Sequence, residues 1–149
     1  MLDRVLFVCT GNICRSPMAE ALLRARFALR GGTGQVESAG LAAVEGHPAD
    51  PVAVELLAAR GLDLSGHRAR QLTPELLRRF ELVLVMDAVQ ERRLSMLAPW
   101  ARARIQRLGG YGGFDVPDPY GERRSAFERA LALIERGLDE YDRELWQKA

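Results

Sequence analysis

A cysteine and an arginine six positions apart, Cys9 and Arg15, are the residues of this chain best suited to chemistry on a phosphate ester. A thiolate at Cys9 can attack phosphorus and form a covalent phosphocysteine. The planar guanidinium of Arg15 presents a fork of donors that matches two phosphate oxygens. The spacing alone is weak evidence, because arginine fills 20 of the 149 positions and such a pair arises by chance about a quarter of the time.

The two residues lie in a short loop between an apolar run and a helical pattern. Residues 5–8 are typical of a buried strand, and residues 17–23 of a helix with proline in its first turn. A loop at such a junction collects backbone N–H groups and binds anions, and a cysteine in it is expected to ionise to the thiolate. Gly11, Asn12 and Ser16 favour this interpretation over an inert buried cysteine beside a surface arginine.

Strand and helix patterns alternate along the rest of the chain. Strands are predicted at residues 5–9, 35–39, 82–86 and 104–108. Helices are predicted at residues 17–30, 50–60, 73–80, 90–98 and 123–147. This alternation predicts an α/β fold, with one domain over residues 1–149 and an open four-stranded parallel sheet covered by helices on both faces. Such sheets bind ligands at the carboxyl ends of their strands, and the Cys9 loop follows the first strand.

A long loop rich in glycine and proline occupies residues 109–121, before the last helix. Loops of this length inside a compact domain are usually functional. A phenolate leaving group needs a proton, and Asp115 and Asp118 are both candidates for the general acid. Pro117 and Pro119 flank Asp118 and stiffen its backbone, so that the carboxyl can be held in place.

The composition argues against several other classes of function. The net charge of +1 gives no general attraction to nucleic acid or to a membrane surface. No apolar run is long enough to span a bilayer, and the chain opens into a strand without a secretory signal. We therefore expect a cytoplasmic monomer with reduced thiols. Two cysteines and two histidines form no metal-ligand pattern, so neither a metal nor another cofactor is expected.

Residues 8–20, with the sequence VCTGNICRSPMAE, resemble the signature of the low-molecular-weight protein tyrosine phosphatases. Further blocks match the family in order and spacing, and they are residues 38–40, 66–71, 85–87 and 115–121. The resemblance covers nearly the whole chain. The loop after Ser38 is similar to that of the bacterial branch, whose members are paired with tyrosine kinases of capsule and exopolysaccharide synthesis. The resemblance implies a protein-tyrosine-phosphatase that acts on a phosphotyrosine protein, such as a cognate kinase, and regulates polysaccharide production.

The resemblance also assigns roles to individual residues. It implies that Cys9 is the nucleophile, that Arg15 clamps the phosphate, and that Asp118 rather than Asp115 is the general acid. Phosphate binding and support of the loop are implied for Thr10, Gly11, Asn12, Ile13, Cys14, Ser16, Ser38 and His67. Within that set, Asn12, Ser38 and His67 resemble a polar network that holds the shape of the loop.

Three further residues have roles that the resemblance implies at the edge of the site. Cys14 is similar to a partner thiol that traps oxidised Cys9 as a disulfide, although by its type alone it is equally a small buried apolar residue. Leu41 and Tyr120 match positions at the mouth of the pocket, where apolar walls suit a phenyl ring. Gly121 follows Tyr120 where many eukaryotic relatives have a second tyrosine, which also favours the bacterial branch.

Three other functions compete with a tyrosine phosphatase. An arsenate reductase on the same scaffold needs a third thiol to pass a disulfide outward, and only Cys9 and Cys14 exist. Phosphoarginine phosphatases of this family carry threonine at the position of Ile13. A phosphate-binding module without catalysis needs neither a nucleophile nor a general acid, so the presence of Cys9, Arg15 and Asp118 together argues against it.

Overall fold

The computed structural model describes residues 2–147, which form a four-stranded sheet and five α-helices. The predicted domain of residues 1–149 includes Met1, Lys148 and Ala149, which lie outside the described residues. The strands are β1 (Arg4–Cys9), β2 (Gln35–Gly40), β3 (Leu82–Val85) and β4 (Ile105–Arg107). The helices are α1 (Arg15–Leu29), α2 (Pro51–Ala58), α3 (Pro74–Arg78), α4 (Ala88–Leu97) and α5 (Arg124–Tyr141). The predicted α/β class and the four parallel strands are confirmed.

The sheet has the order β2-β1-β3-β4, and all its strand pairs are parallel. Strand β1 is central, with Cys9 beside Gly40 of β2 and Val8 beside Val85 of β3. The chain leaves β1 toward one edge of the sheet and then crosses to the other side for β3. A crevice opens at the carboxyl end of a strand where the winding reverses in this way, and Cys9 lies at that end.

Side chains of β1 alternate between two apolar cores, one on each face of the sheet. Val5 and Phe7 point into the core covered by α1, α2 and α5, whereas Leu6 and Val8 point into the core covered by α3 and α4. All four side chains are fully buried, which explains the continuous apolar run of this strand. The predicted placement of helices on both faces is confirmed.

Two helices begin earlier than the sequence predicts. Helix α1 begins at Arg15, so that Pro17 lies inside its first turn, where its missing N–H costs no hydrogen bond. Helix α4 begins at Ala88 instead of residue 90, because Asp87 caps it by accepting a hydrogen bond from the backbone N–H of Gln90 at 2.8 Å.

Two other segments differ in helix type. Pro99–Arg104, where the sequence predicts only an interruption at proline, forms a 3₁₀ helix before β4. The last helix is predicted to run to residue 147, but α5 ends at Tyr141 and a π-helical turn, Asp142–Trp146, follows. In this turn the indole of Trp146 is buried against Phe27, with ring centroids 5.3 Å apart.

Candidate active site

The loop between β1 and α1 turns its carbonyl groups away from its centre. Backbone N–H groups of the segment 41–50 donate hydrogen bonds of 2.8 to 3.1 Å to the carbonyl oxygens of Cys9, Thr10, Gly11 and Ile13. Within the described residues, the backbone N–H groups of residues 10–14 donate no hydrogen bond to a backbone carbonyl. The first turn of α1 adds N–H groups that have no partner within the helix, and no side chain caps them. These donors together form a binding site for an oxyanion.

Asn12 fixes the shape of this loop. Its φ angle of 59° lies in the left-handed region, which asparagine tolerates better than most residues. Its side-chain amide donates to Ser16 Oγ at 2.8 Å and to Ser38 Oγ at 2.9 Å. Its backbone carbonyl accepts from Nε2 of His67 at 2.7 Å. The structure therefore brings together the three residues of the predicted network, Asn12, Ser38 and His67.

The thiol of Cys9 lies at the floor of the loop, 2.9 Å from the hydroxyl oxygen of Ser16. Because Ser16 Oγ already accepts from Asn12, its own hydrogen is free to point at sulfur. Ser16 is thus in hydrogen-bond contact with Cys9.

Two residues that the sequence analysis left without a role extend the network behind Asn12. The carboxylate of Glu20 accepts a hydrogen bond from Ser38 Oγ. Arg70 donates from its backbone N–H to Asn12 Oδ1 at 3.0 Å and from its guanidinium to the carbonyl of Ser38 at 2.9 Å. Both residues lie in segments that resemble the family, and this resemblance is the sequence feature that could have indicated a role at the site.

Arg15 is 3% exposed and is held by groups from two other loops. Its guanidinium donates to Asp87 Oδ2 at 3.1 Å and to the carbonyl of Val116 at 2.8 Å. Its other terminal nitrogen lies 3.8 Å from Asp118 Oδ2. Asp87 was not predicted, although it follows the strand beside β1 and so lies at the same edge of the sheet. These contacts orient the fork of Arg15 toward the loop.

The structure separates the two candidates for the general acid. Asp115 pairs with Arg107 at 2.8 Å and does not line the pocket that contains Cys9. Asp118 lines that pocket, and its other carboxyl oxygen accepts a hydrogen bond from the backbone N–H of Tyr120 at 3.1 Å. The side chain of Asp118 is half exposed, so it can meet both a leaving group and water.

The pocket above the loop has a volume of about 230 Å³. Its walls are Cys9, Thr10, Gly11, Ile13, Cys14, Arg15, Ala42, Val44, Asp118 and Tyr120. The predicted position of Tyr120 at the pocket is found, whereas that of Leu41 is wrong. Leu41 is buried in the core under α3 and α4, and Ala42 and Val44 form the apolar wall instead. The pocket thus joins an anion-binding floor to an apolar mouth.

The second cysteine lies in the same pocket and differs from Cys9 in its surroundings. Both thiols are reduced. Burial, reinforced by the charge of Asp50, raises the pKa of the Cys14 thiol well above its ordinary value. This raised pKa keeps the Cys14 thiol protonated at neutral pH.

We predict that Cys14→Ser retains turnover but loses protection against peroxide. Peroxide converts the Cys9 thiolate to a sulfenic acid, and the Cys14 thiol then forms a disulfide with release of water. Without Cys14 the sulfenic acid is oxidised further and irreversibly. The measurement is the activity that dithiothreitol restores after peroxide, together with peptide mapping of the disulfide. Equal recovery in Cys14→Ser and wild type would assign no protective role to Cys14.

Neither a metal site nor a membrane span is found in residues 2–147. No three histidine, cysteine, aspartate or glutamate side chains in this part of the chain are grouped to hold a metal ion. None of its helices has the length and apolar character needed to cross a bilayer.

Comparison with known proteins identifies the family. Residues 4–149 match the family model described as low molecular weight phosphotyrosine protein phosphatase. The probable low molecular weight protein-tyrosine-phosphatase EpsP of Ralstonia solanacearum is 50% identical over 93% of each chain. The crystal structure of the tyrosine phosphatase Wzb from Escherichia coli K30 with sulphate is 36% identical, with a TM-score of 0.88 over 97% of this chain and 99% of that one. The structure of a mutant of the YwlE arginine phosphatase is 32% identical, with a TM-score of 0.88 over 95% of both chains.

The chain belongs to the low molecular weight phosphotyrosine protein phosphatase family. It is an enzyme of that class, a protein-tyrosine-phosphatase.

Proposed function

We propose that the protein hydrolyses phosphotyrosine in two steps through a phosphocysteine at Cys9. In the first step the thiolate attacks phosphorus, an S–P bond forms, and the bond from phosphorus to the phenolic oxygen breaks. Asp118 gives its proton to the departing oxygen. In the second step water attacks phosphorus and loses a proton to Asp118. The S–P bond then breaks, which releases inorganic phosphate and restores the thiolate.

The observation that supports this mechanism best is the convergence of three chemical groups on one pocket. Cys9 supplies electrons at the floor, the loop amides and Arg15 supply donors for three phosphate oxygens, and Asp118 supplies a proton at the rim. Stabilisation of charge by fixed donors is the main source of catalysis in phosphoryl transfer. No metal is needed for this chemistry, because guanidinium and amide groups take its place.

Rapid-quench kinetics test the proposed intermediate. The wild-type protein is mixed with p-nitrophenyl phosphate in the presence of a chelator, quenched with acid and digested. We expect a burst of nitrophenol and a phosphoryl group on the peptide that contains Cys9. Turnover without a phosphorylated peptide, or phosphorylation at another residue, would contradict the mechanism.

We further propose that the physiological substrate is a bacterial tyrosine kinase of an exopolysaccharide system. The similarity to EpsP and to Wzb supports this assignment. The protein acts there as a cytoplasmic monomer, in a reducing compartment that keeps Cys9 and Cys14 as thiols. In the source organism, deletion of the gene is expected to raise tyrosine phosphorylation of the kinase and to change the amount of exported polysaccharide. Unchanged phosphorylation of every tyrosine kinase in the deletion strain would refute the assignment.

A phosphoarginine phosphatase is the second candidate, because YwlE is similar in structure. Ile13 is the residue that we expect to distinguish the two substrates, because it belongs to the loop and lines the pocket. Its branched side chain offers apolar contact to a phenyl ring. A guanidino group there finds no acceptor from Ile13 and leaves N–H groups unsatisfied, at about 1–3 kcal/mol. This penalty corresponds to about 5- to 150-fold in favour of phosphotyrosine.

We therefore predict that Ile13→Thr narrows or reverses the preference for phosphotyrosine over phosphoarginine. The threonine hydroxyl can accept a hydrogen bond from the guanidino group, and the apolar contact with phenyl is reduced. The measurement is kcat/KM for a phosphotyrosine peptide and for a matched phosphoarginine peptide. Ile13→Val is the control, because valine has the shape of threonine without the hydroxyl and should keep the preference. If wild type and Ile13→Thr both accept the two peptides equally, Ile13 is not the selector.

A further inference from the structure

Exposed apolar side chains are concentrated on and after helix α4, outside the lining of the pocket. Nine large apolar side chains are exposed in residues 2–147, and four of them lie between residues 89 and 100. These four are Val89, Met96, Leu97 and Trp100. Met96 is 81% exposed and Leu97 is 67% exposed, which is unusual for neighbouring residues of a helix in a protein that acts alone.

Arginines without a carboxylate partner are concentrated in the same place. In the part of the chain that the structure describes, nine arginines have no carboxylate oxygen within 4.0 Å. Five of the nine lie between residues 78 and 104, and they are Arg78, Arg92, Arg93, Arg102 and Arg104. We call these five arginines and the four apolar residues the α4 surface.

Contacts between elements join several residues of the α4 surface. The guanidinium of Arg78 lies 5.2 Å from the ring centroid of Trp100, and that of Arg104 lies 5.7 Å from it. Arg92 and Arg102 line one cleft of about 280 Å³, together with Glu91, Ser95 and Ile105. Tryptophan and arginine side chains in contact are a composition enriched at the centre of binding interfaces.

The surface also reaches the neighbourhood of the pocket. Helix α4 begins directly after Asp87, which contacts Arg15, and its ten residues span about 15 Å toward Trp100. An extended chain covers about 3.3 Å per residue. The segment within about five residues of a phosphotyrosine in the pocket can therefore lie along this helix.

We propose that the α4 surface binds an acidic protein segment that carries apolar or aromatic side chains. Carboxylates of the segment pair with the arginines of this surface, which have no carboxylate partner, and its apolar side chains cover Trp100, Met96 and Leu97. In the substrate, this segment lies a few residues from the phosphotyrosine and holds it near the pocket. That kinetic consequence rests on the proposed function, whereas binding of the segment does not.

A phosphorylated random copolymer of glutamate and tyrosine is a suitable probe, with p-nitrophenyl phosphate as the small substrate. The double variant Arg92→Glu/Arg93→Glu should raise KM for the copolymer about tenfold, because two attractions become repulsions. Its kcat on the copolymer, and both constants for p-nitrophenyl phosphate, should stay as in wild type. Trp100→Ala should raise KM for the copolymer about fivefold.

Arg143→Glu is the control for Arg93→Glu, because both arginines are exposed, helical and without a carboxylate partner. Equal KM values for the copolymer in these two single variants would overturn the proposal. Loss of binding to phosphatidylserine vesicles in Arg92→Glu/Arg93→Glu, with unchanged KM for the copolymer, would overturn it in favour of a membrane surface.

Binding to the α4 surface can be tested even if the proposed phosphatase function is wrong. If wild type hydrolyses neither substrate, fluorescence anisotropy of labelled, unphosphorylated copolymer still measures binding to the α4 surface. Weaker binding by Arg93→Glu than by Arg143→Glu supports the proposal in that case, and equal binding refutes it.

Discussion

Replacement of Cys9 by serine is expected to lower kcat for aryl phosphates by a factor on the order of 10³ or more. A serine hydroxyl is scarcely ionised at neutral pH, and the hydrogen bond from Ser16 is too weak to change that. Oxyanion binding should persist, because the loop amides and Arg15 supply its donors. The measurements are kcat with p-nitrophenyl phosphate and the Kd of inorganic phosphate by calorimetry.

Two other variants make this result specific to Cys9. Cys14→Ser makes the same exchange five positions away in the same pocket, and it should keep kcat within a few-fold of wild type. Arg15→Lys should lose both turnover and phosphate binding, since an ammonium cannot supply a bidentate fork or keep the contacts to Asp87 and Val116. Activity of Cys9→Ser within tenfold of wild type would remove Cys9 from the role of nucleophile.

The parts of the site that sequence predicts well are those that depend on neighbours along the chain. Cys9, Asn12, Arg15 and Ser16 lie within eight residues. Once a strand, a loop and a helix are predicted for this segment, the four side chains are expected to lie close together. The apolar run of β1 is likewise a local signal. Topology then follows from the alternation of strands and helices.

The parts that sequence predicts poorly depend on contacts across the fold. Asp87 is 72 positions from Arg15, and Arg70 is 58 positions from Asn12. No spacing rule indicates such pairs, and the family blocks mark only the segments. The error at Leu41 has a different origin. Leu41 lies in a turn just after Gly40, the last residue of β2, so the period of the strand does not assign its side chain to a face. Packing beside Ala39 in the core under α3 and α4 decides its position.

The 3₁₀ helix and the π-helical turn were missed for a related reason. Local sequence indicates where a helix begins or is interrupted, but the hydrogen-bond pattern within it depends on packing. Trp146 illustrates the point, because its indole N–H donates to the carbonyl of Leu2 at 2.9 Å, at the opposite end of the chain.

The second large effect is expected for Asp118→Asn, and it should depend on the leaving group. For a phosphate ester of a weakly acidic phenol, loss of the general acid should lower kcat/KM by about 10² to 10⁴. For an ester of a strongly acidic phenol the loss should be only a few-fold, because the departing anion is stable without a proton. The measurement is a plot of kcat/KM against the acidity of the phenol, which should be steeper in Asp118→Asn than in wild type.

Asp115→Asn is the matched control, because it makes the same exchange three positions away in the same loop. The carboxylate of Asp115 pairs with Arg107 and lies outside the pocket, whereas Asp118 lies 3.8 Å from the guanidinium of Arg15. Replacement of Asp115 should therefore leave the dependence of kcat/KM on the acidity of the phenol as in wild type. The pattern also separates proton donation from a charge effect, since a carboxylate that only oriented Arg15 would affect all esters alike. Equal losses across the series in Asp118→Asn would thus assign Asp118 a positioning role and leave the source of the proton to another group.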